Sequence, residues 1–360
     1  MTNLKKEFPI LSSYTYLNTP YTGVMPFSVQ KKNHQLDQDY RLRGSLFTDD
    51  YENKIVRETK DLIAEIYQAH TDTVAIISNF SIGLNLILND LPEQSKVVLL
   101  TQDYPSVNLP VKSRNFKVFE VDITLNIYES LKQKFVEVSP DFFIFSLTQF
   151  ISGFQLDLKR LKDLKEEFPQ VCFIADATQY CGSEAFDFEN SPFDVFGTSG
   201  YKWLNAGLGT AFFLLKPHFT EKQKFRTVGS NSLSSKPDGE PRSVGFLEPG
   251  HYDIMATARL KYALEFHYKI LGIEFIESKI KAISKHAKKE FLNRNLLDSQ
   301  IIDEHSHQHI FSLKGEKHHI EELKDKGILC AFRGGRIRVG FQYFNTEEDL
   351  KTLLGAIKEL

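Results

Sequence analysis

Between about residues 50 and 215 the chain alternates helical stretches with short apolar runs, and no other feature constrains its fold as tightly. The runs are Val74–Ile77, Lys96–Leu100, Phe116–Val121, Asp141–Phe145, Val171–Ala175, Val195–Thr198 and Thr210–Leu215. Each is bounded by polar or turn residues, and most are apolar on both faces. Such strands need cover on both sides, which parallel strands flanked by helices receive. The stretches between them carry helical spacing. Ile55, Thr59, Leu62, Ile63, Ile66 and Tyr67 mark an amphipathic helix over 50–68, and Leu156, Leu158, Leu161 and Leu164 suit a crossover helix. The pattern predicts an α/β domain with a mostly parallel, doubly wound sheet.

The rest of the chain reads differently. Residues 228–250 are rich in Gly, Ser and Pro, so they predict a long loop, and a loop of that length is usually functional. Long helices are expected over 253–271 and 273–295. The tail mixes apolar runs at His309–Leu313, Ile328–Phe332 and Arg336–Phe341 with helices at 318–326 and from Thr346. With 360 residues, more than one core is expected. We expect a large α/β domain over 16–255 and a small α+β domain over 256–360, with 1–15 packing against it.

Several function classes are excluded early. Net charge is -3 with Lys and Arg spread along the chain, so the basic stripe of a nucleic-acid binder is missing. No apolar run is long enough to span a bilayer. Lys5 and Lys6 are not followed by the apolar stretch of a signal peptide. The three cysteines, Cys172, Cys181 and Cys330, lack metal-ligand spacing and read as reduced thiols. A cytoplasmic protein without a metal is expected. No glycine-rich phosphate or dinucleotide fingerprint follows a strand.

Three segments carry chemistry. Asp176 closes the apolar run before Ala177-Thr178-Gln179, at the strand end where open α/β sheets place ligands. Alone, it would equally serve as a helix cap. Lys202 sits between Tyr201 and Trp203 after another apolar run. Burial there favours the neutral amine, the form that makes a Schiff base. The third segment is Ser78-Asn79-Phe80-Ser81-Ile82-Gly83-Leu84-Asn85, a polar turn opening a helix, whose exposed N–H groups suit a phosphate.

Together these residues resemble the class V aminotransferase family of pyridoxal-phosphate (PLP) enzymes, of fold type I. The family's Asp-x-x-Gln pair matches Asp176 and Gln179, and its Ser-Gly-His-Lys matches Ser199-Gly200-Tyr201-Lys202. Tyr16-Leu17-Asn18-Thr19-Pro20 resembles its opening strand, Asp103-Tyr104-Pro105-Ser106 its ring-stacking segment, and Arg338-Val339-Gly340 its carboxylate-binding strand. The resemblance implies PLP bound to Lys202, which would also shuttle the substrate proton. It implies Asp176 on the ring nitrogen, Gln179 on the phenolic oxygen and Tyr104 stacked on the ring. Ser199, Ser81 and the N–H groups of Phe80 and Ser81 would hold the phosphate. Arg338 would grip the substrate carboxylate, with Arg336 as competitor, since both share a strand face.

There are departures. Tyr201 replaces the usual His, so a phenol would face the phosphate there. Tyr-Lys-Trp-Leu-Asn-Ala-Gly, and Gln149 with Phe150 ahead of Gly153, are closer to kynureninase. His251 falls where many relatives place a Thr reaching the neighbouring subunit's phosphate, which implies a homodimer. The main expectation is an aminotransferase acting on a small amino acid, with a keto acid as second substrate. The alternative is a lyase, kynureninase-like or cysteine desulfurase/selenocysteine lyase-like, and a third reading is a non-catalytic PLP-fold binding protein. Cys330, the only candidate for a desulfurase thiol, lies in an apolar strand.

Overall fold

The computed structural model describes residues 4–222, 224, 226–233, 242–297 and 309–358. Residues 234–241, the middle of the expected loop, lie outside the described residues. The chain opens with a short helix, α1 (Leu4–Glu7), and a two-residue strand, β1 (Thr15–Tyr16). Two long helices follow, α2 (Phe27–Arg43) and α3 (Ser45–Tyr67). Helix α2 buries only Val29 and Leu36, too sparse a stripe to be legible in the sequence. Helix α3 starts ahead of the expected residue 50 and buries Ile55, Leu62 and Ile63 as the spacing required.

The alternating part then unfolds in order: β2 (Val74–Ile77), α4 (Phe80–Asp90), β3 (Lys96–Leu100), α5 (Pro105–Lys112), β4 (Lys117–Val121), α6 (Ile127–Val138), β5 (Phe142–Ser146), α7 (Leu158–Glu167), β6 (Cys172–Asp176), β7 (Val195–Ser199) and β8 (Ala211–Leu215). Side-chain caps fix two of these helices. Asn79 accepts from the Ile82 amide at the start of α4, and Asp157 from the Arg160 amide at the start of α7. The strands form one seven-stranded sheet in the order β2-β8-β7-β6-β5-β3-β4. Only β8 runs against its neighbours. The sheet is therefore mostly parallel and doubly wound, as expected. The order reverses between β3 and β5, so their carboxyl ends flank a crevice, the usual ligand position in such sheets.

The remainder contains α8 (Pro217–Thr220), α9 (Ile254–Leu264), α10 (Ile273–Asn293), β9 (Ile310–Leu313), α11 (His319–Asp325), β10 (Ile328–Leu329), β11 (Ala331–Arg333), β12 (Arg336–Gly340) and α12 (Glu347–Lys358). The helix expected over 253–271 is interrupted, because α9 passes into a wider π-helical turn over Glu265–Leu271 that ends at Gly272. The single strand expected over 328–332 is split at Cys330. Its first half pairs in parallel with β1, and its second half pairs antiparallel with β12. Strands β11, β12 and β9 form a small sheet backed by Ile283, Phe291, Leu323 and Leu353. Leu260, Ala263 and Leu264 of α9 instead pack into the core of the large sheet, as do Ile276 and Ile280 of α10. Helix α10 thus contributes to both cores, through Ile276 and Ile280 to the large one and through Ile283 and Phe291 to the small one.

Candidate active site

The carboxyl ends of β3, β5, β6 and β7 bring the sequence-selected residues together. Asp176 ends β6 and Ser199 ends β7, so both are carried by the sheet. Asp176 is 5% exposed and accepts from the Thr178 amide at 2.9 Å. Burial pushes its carboxyl up to about 6 against the opposing pull of Thr178 and Lys202. Lys202 is 6% exposed. Burial pushes its amine down to about 8, and the nearby Arg338 charge adds to the shift while Asp176 opposes it. No carboxylate lies within 4 Å of the Lys202 amine among the described residues. Its Nζ sits 5.5 Å from the Tyr104 ring centre and 5.7 Å from that of Tyr201. The site thus holds a buried amine that feels Asp176 but has no direct ion-pair partner among the described residues, beside an aromatic wall.

Arg338 is a second buried cation without an ion-pair partner among the described residues. It is 2% exposed, its Nη1 donates to the Phe150 carbonyl at 2.6 Å, and its Nε has no partner. Burial and the neighbouring Arg333 push its guanidinium down to about 10. The receiving carbonyl belongs to a tight turn. Gln149 Oε1 accepts from the Ile151 and Ser152 amides at 2.7 and 2.6 Å. Gly153, at φ 77, packs so closely that a Cβ would lie 2.1 Å from the Ile310 carbonyl. A buried guanidinium without an acid is costly unless an anion completes it. Arg336, the competitor, is half-buried nearer the hairpin tip.

At the turn expected to hold the phosphate, Ser199 Oγ accepts from the Phe80 amide at 3.0 Å. That commits the Phe80 N–H, which was expected to face the phosphate, to a protein partner. Ser81 follows at the first turn of α4 and is half-buried. Tyr201 lies on the amine side of the site. Its ring lies beside the amine, and its hydroxyl is raised to about 12 by burial, with Tyr104, Asp176 and Tyr21 adding to the shift and Arg338 opposing it. Arg338 is thus among the charges that its hydroxyl feels. His251 is exposed and bonds Glu52 at 2.8 Å. It borders a cavity of about 410 Å³ with Ser78, Ile82, Thr210 and Gly250.

A family model described as aminotransferase class-V matches residues 41–353. The chain belongs to that family. A protein of Mycoplasma genitalium described as a probable cysteine desulfurase is 25% identical over 342 residues, covering 84% of this chain and 81% of its own. A second probable cysteine desulfurase, from Pyrococcus abyssi, is 21% identical and covers 99% of this chain and 97% of its own. Among solved structures, the cystine C–S lyase C-DES in complex with its product cysteine persulfide has a TM-score of 0.87 at 17% identity, covering 98% of this chain and 99% of its own. The apo cysteine desulfurase from Thermococcus onnurineus NA1 has a TM-score of 0.85 at 17% identity, covering 99% of this chain and 97% of its own. The fold is therefore that of these PLP enzymes, and the chain is a PLP-dependent enzyme of class V.

The donor set fits that cofactor. A buried amine lies 5.5 Å from an aromatic ring and within electrostatic reach of a buried carboxylate, and the start of α4 is tied to the end of β7 through Ser199. Once bound, PLP supplies an electron sink for the α-carbon of an amino acid. Sequence reading missed the Phe150 carbonyl, Tyr21, Arg333 and His309. The first and last act through contacts between chain segments far apart. Arg333, over the Tyr21 ring at 5.4 Å, lies outside any motif. The 149–153 turn had a signal in its Gln and Gly, but that signal named no partner.

Proposed function

We propose that the protein is a PLP-dependent lyase that breaks the carbon–sulfur bond of a cysteine-type amino acid. This was the alternative in the sequence reading, and the named relatives favour it over transamination. The observation that carries it is the unpaired Arg338 beside the unpaired Lys202, together with the state of Cys330. Arg338 receives the substrate carboxylate, and Lys202 removes the α-proton. The β-carbon–sulfur bond then breaks and sulfur departs with the electron pair, taking a proton as a thiol. The remaining three-carbon enamine hydrolyses to pyruvate and ammonia.

Cys330 decides where the sulfur goes. The described chain places this thiol between β10 and β11, 9% exposed within the small-sheet core. Burial pushes it up to about 12, so the reactive thiolate is scarce at neutral pH. We therefore read sulfur as leaving with the substrate's own leaving group, not as a persulfide on the enzyme. Arg333, adjacent to Arg338 and without an acid partner among its contacts, favours a substrate with a second carboxylate, such as cystine.

We also propose a homodimer. Ile82 and Leu208 are 47% and 67% exposed, and Ile82 lines the cavity that Gly250 and His251 border. A second copy would cover them, and a monomeric mass by light scattering for the PLP-loaded protein would refute this. The reaction is tested by incubating the holoenzyme with cystine and no keto acid. Repeated turnover giving pyruvate, ammonia and persulfide is expected, and Cys330→Ser should change it less than about twofold. One turnover followed by arrest until a keto acid is added would mean a transaminase. Loss of sulfur release in Cys330→Ser would mean a desulfurase.

A further inference from the structure

The side-chain amide of Gln179 has two unlike ends, and which one faces the cofactor matters chemically. Gln179 is 4% exposed and follows Asp176 at the end of β6. Its Oε1 accepts from the Trp203 indole Nε1 at 2.8 Å, and its Nε2 donates to the Pro20 carbonyl at 2.8 Å. An indole nitrogen can only donate, and a backbone carbonyl can only accept. Both neighbours therefore demand the same orientation. Turning the amide over would set an NH2 against an N–H and an oxygen against an oxygen, in a place closed to water. One N–H of Nε2 remains uncommitted by these contacts.

Trp203 is itself fixed, largely by the small sheet. It is fully buried. The His309 ring meets it edge-on at 4.3 Å between centres. Gln342 Nε2 donates to its carbonyl at 3.1 Å. Gly340, at the end of β12, leaves the room it needs: a Cβ there would lie 2.4 Å from Pro20 and 3.4 Å from the indole. His309 Nε2 bonds the Gln179 carbonyl at 2.7 Å, so this nitrogen carries the hydrogen. Its Nδ1 is buried without a partner.

We propose that Trp203, braced by His309, is a positioning residue that locks Gln179 as a hydrogen-bond donor toward the cofactor. The inference rests on the PLP reading of the site but not on which bond the enzyme breaks. A donor, and not an acceptor, is what an oxygen anion on the ring requires, so the lock favours the anionic phenolic oxygen. Because His309, Gly340 and Gln342 come from the small domain, the orientation of a large-domain side chain is set by that domain's seat. The thiol-free, donor-only character of the indole makes it a one-way device that a Phe or Leu could not replace.

The experiment is a pH titration of the visible absorption of the PLP-loaded protein, with Trp203→Phe, Gln179→Ala and the double variant. Each single change is expected to move the midpoint upward by roughly 0.5–1 pH unit, and the double variant should shift no further than Gln179→Ala alone. An unmoved midpoint in Trp203→Phe, or additive shifts in the double variant, would overturn the proposal. Gln179→Glu covers the case in which Trp203→Phe does not fold. Its carboxylate keeps the indole contact but offers the ring only an acceptor, so an upward shift larger than that of Gln179→Ala is expected. A shift no larger than that of Gln179→Ala would mean that Gln179 already presents its oxygen, and the lock would be wrong. Failure of every variant and of the wild type to take up PLP would instead remove the PLP reading itself.

Discussion

Two lysines are buried among the described residues, and they are held in opposite ways. Lys60, on α3, places its Nζ 2.8 Å from Glu248 Oε2. Glu248, with a fully buried side chain, also accepts from the Ile76 amide at 2.7 Å and the Tyr252 hydroxyl at 2.7 Å, and pairs with Arg242. Every charge in that cluster is answered, and its effect is to clamp the 242–252 segment onto β2. Lys202 is equally buried, yet no carboxylate lies within 4 Å of it among the described residues. Burial pushes both amines down, but the first arrangement ties its amine by a direct ion pair and a shared network. The second leaves an amine that is easily neutral and free to react. Pairing, rather than burial, separates a structural lysine from a chemical one.

The contrast breaks most sharply at Lys202. Lys202→Ala should lower turnover by about 10³-fold, since it removes the proposed proton shuttle and cofactor anchor, while thermal stability stays level or rises. A marked fall in the unfolding temperature would mean that Lys202 is structural after all. Arg338 is the site's other unpaired cation. Arg338→Gln should cost roughly 2–5 kcal/mol in kcat/KM, about 30-fold at the low end, with the cofactor spectrum unchanged. If Arg336→Gln produces that loss and Arg338→Gln does not, the carboxylate site lies one pair further along β12.

The paired cluster should answer in stability instead. Glu248→Ala strands Lys60 and Arg242 and should cost about 3–5 kcal/mol in urea unfolding, while Lys60→Met with Glu248→Leu should cost less than the single change. Equal losses would mean that the ion pair is net stabilising. The smallest effect concerns two buried imidazoles. Burial pushes both His267 and His309 down to about 4. Between their ordinary 6.5 and about 4, the unfolded chain binds protons that the folded chain refuses. Stability is therefore intact above about pH 6.5 and falls as the pH drops, by on the order of 2 kcal/mol per histidine at pH 5. Denaturation midpoints that do not change between pH 7 and 5 would contradict this.

Much of this site was legible because its parts sit at strand ends. A short two-sided apolar run announces a buried parallel strand, and the polar residue that closes it must lie at the sheet's edge. Asp176, Ser199 and the Asn79–Ser81 turn were found that way. Lys202 was found because an amine between two aromatics is chemically odd. Tyr201 shows the limit of such reading, since a residue's neighbours in sequence do not say which charges its ring will face. The split at Cys330 was missed for a related reason. A five-residue apolar run looks continuous, while its two halves bond to different partners.

The sequence by itself determined the architecture and the inventory, because hydrophobic period and strand-end chemistry are local properties of the chain. Only the tertiary structure decided which charges are answered. Lys60 finds Glu248 across 188 residues, and Arg338, with no acid partner among the described residues, finds the Phe150 carbonyl across the same separation. It likewise decided which way Gln179 faces, since Trp203 and Pro20 reach it from separate segments. Reactivity here follows from the partners a group lacks or is denied, and partners distant in sequence are set by packing, which no local pattern records.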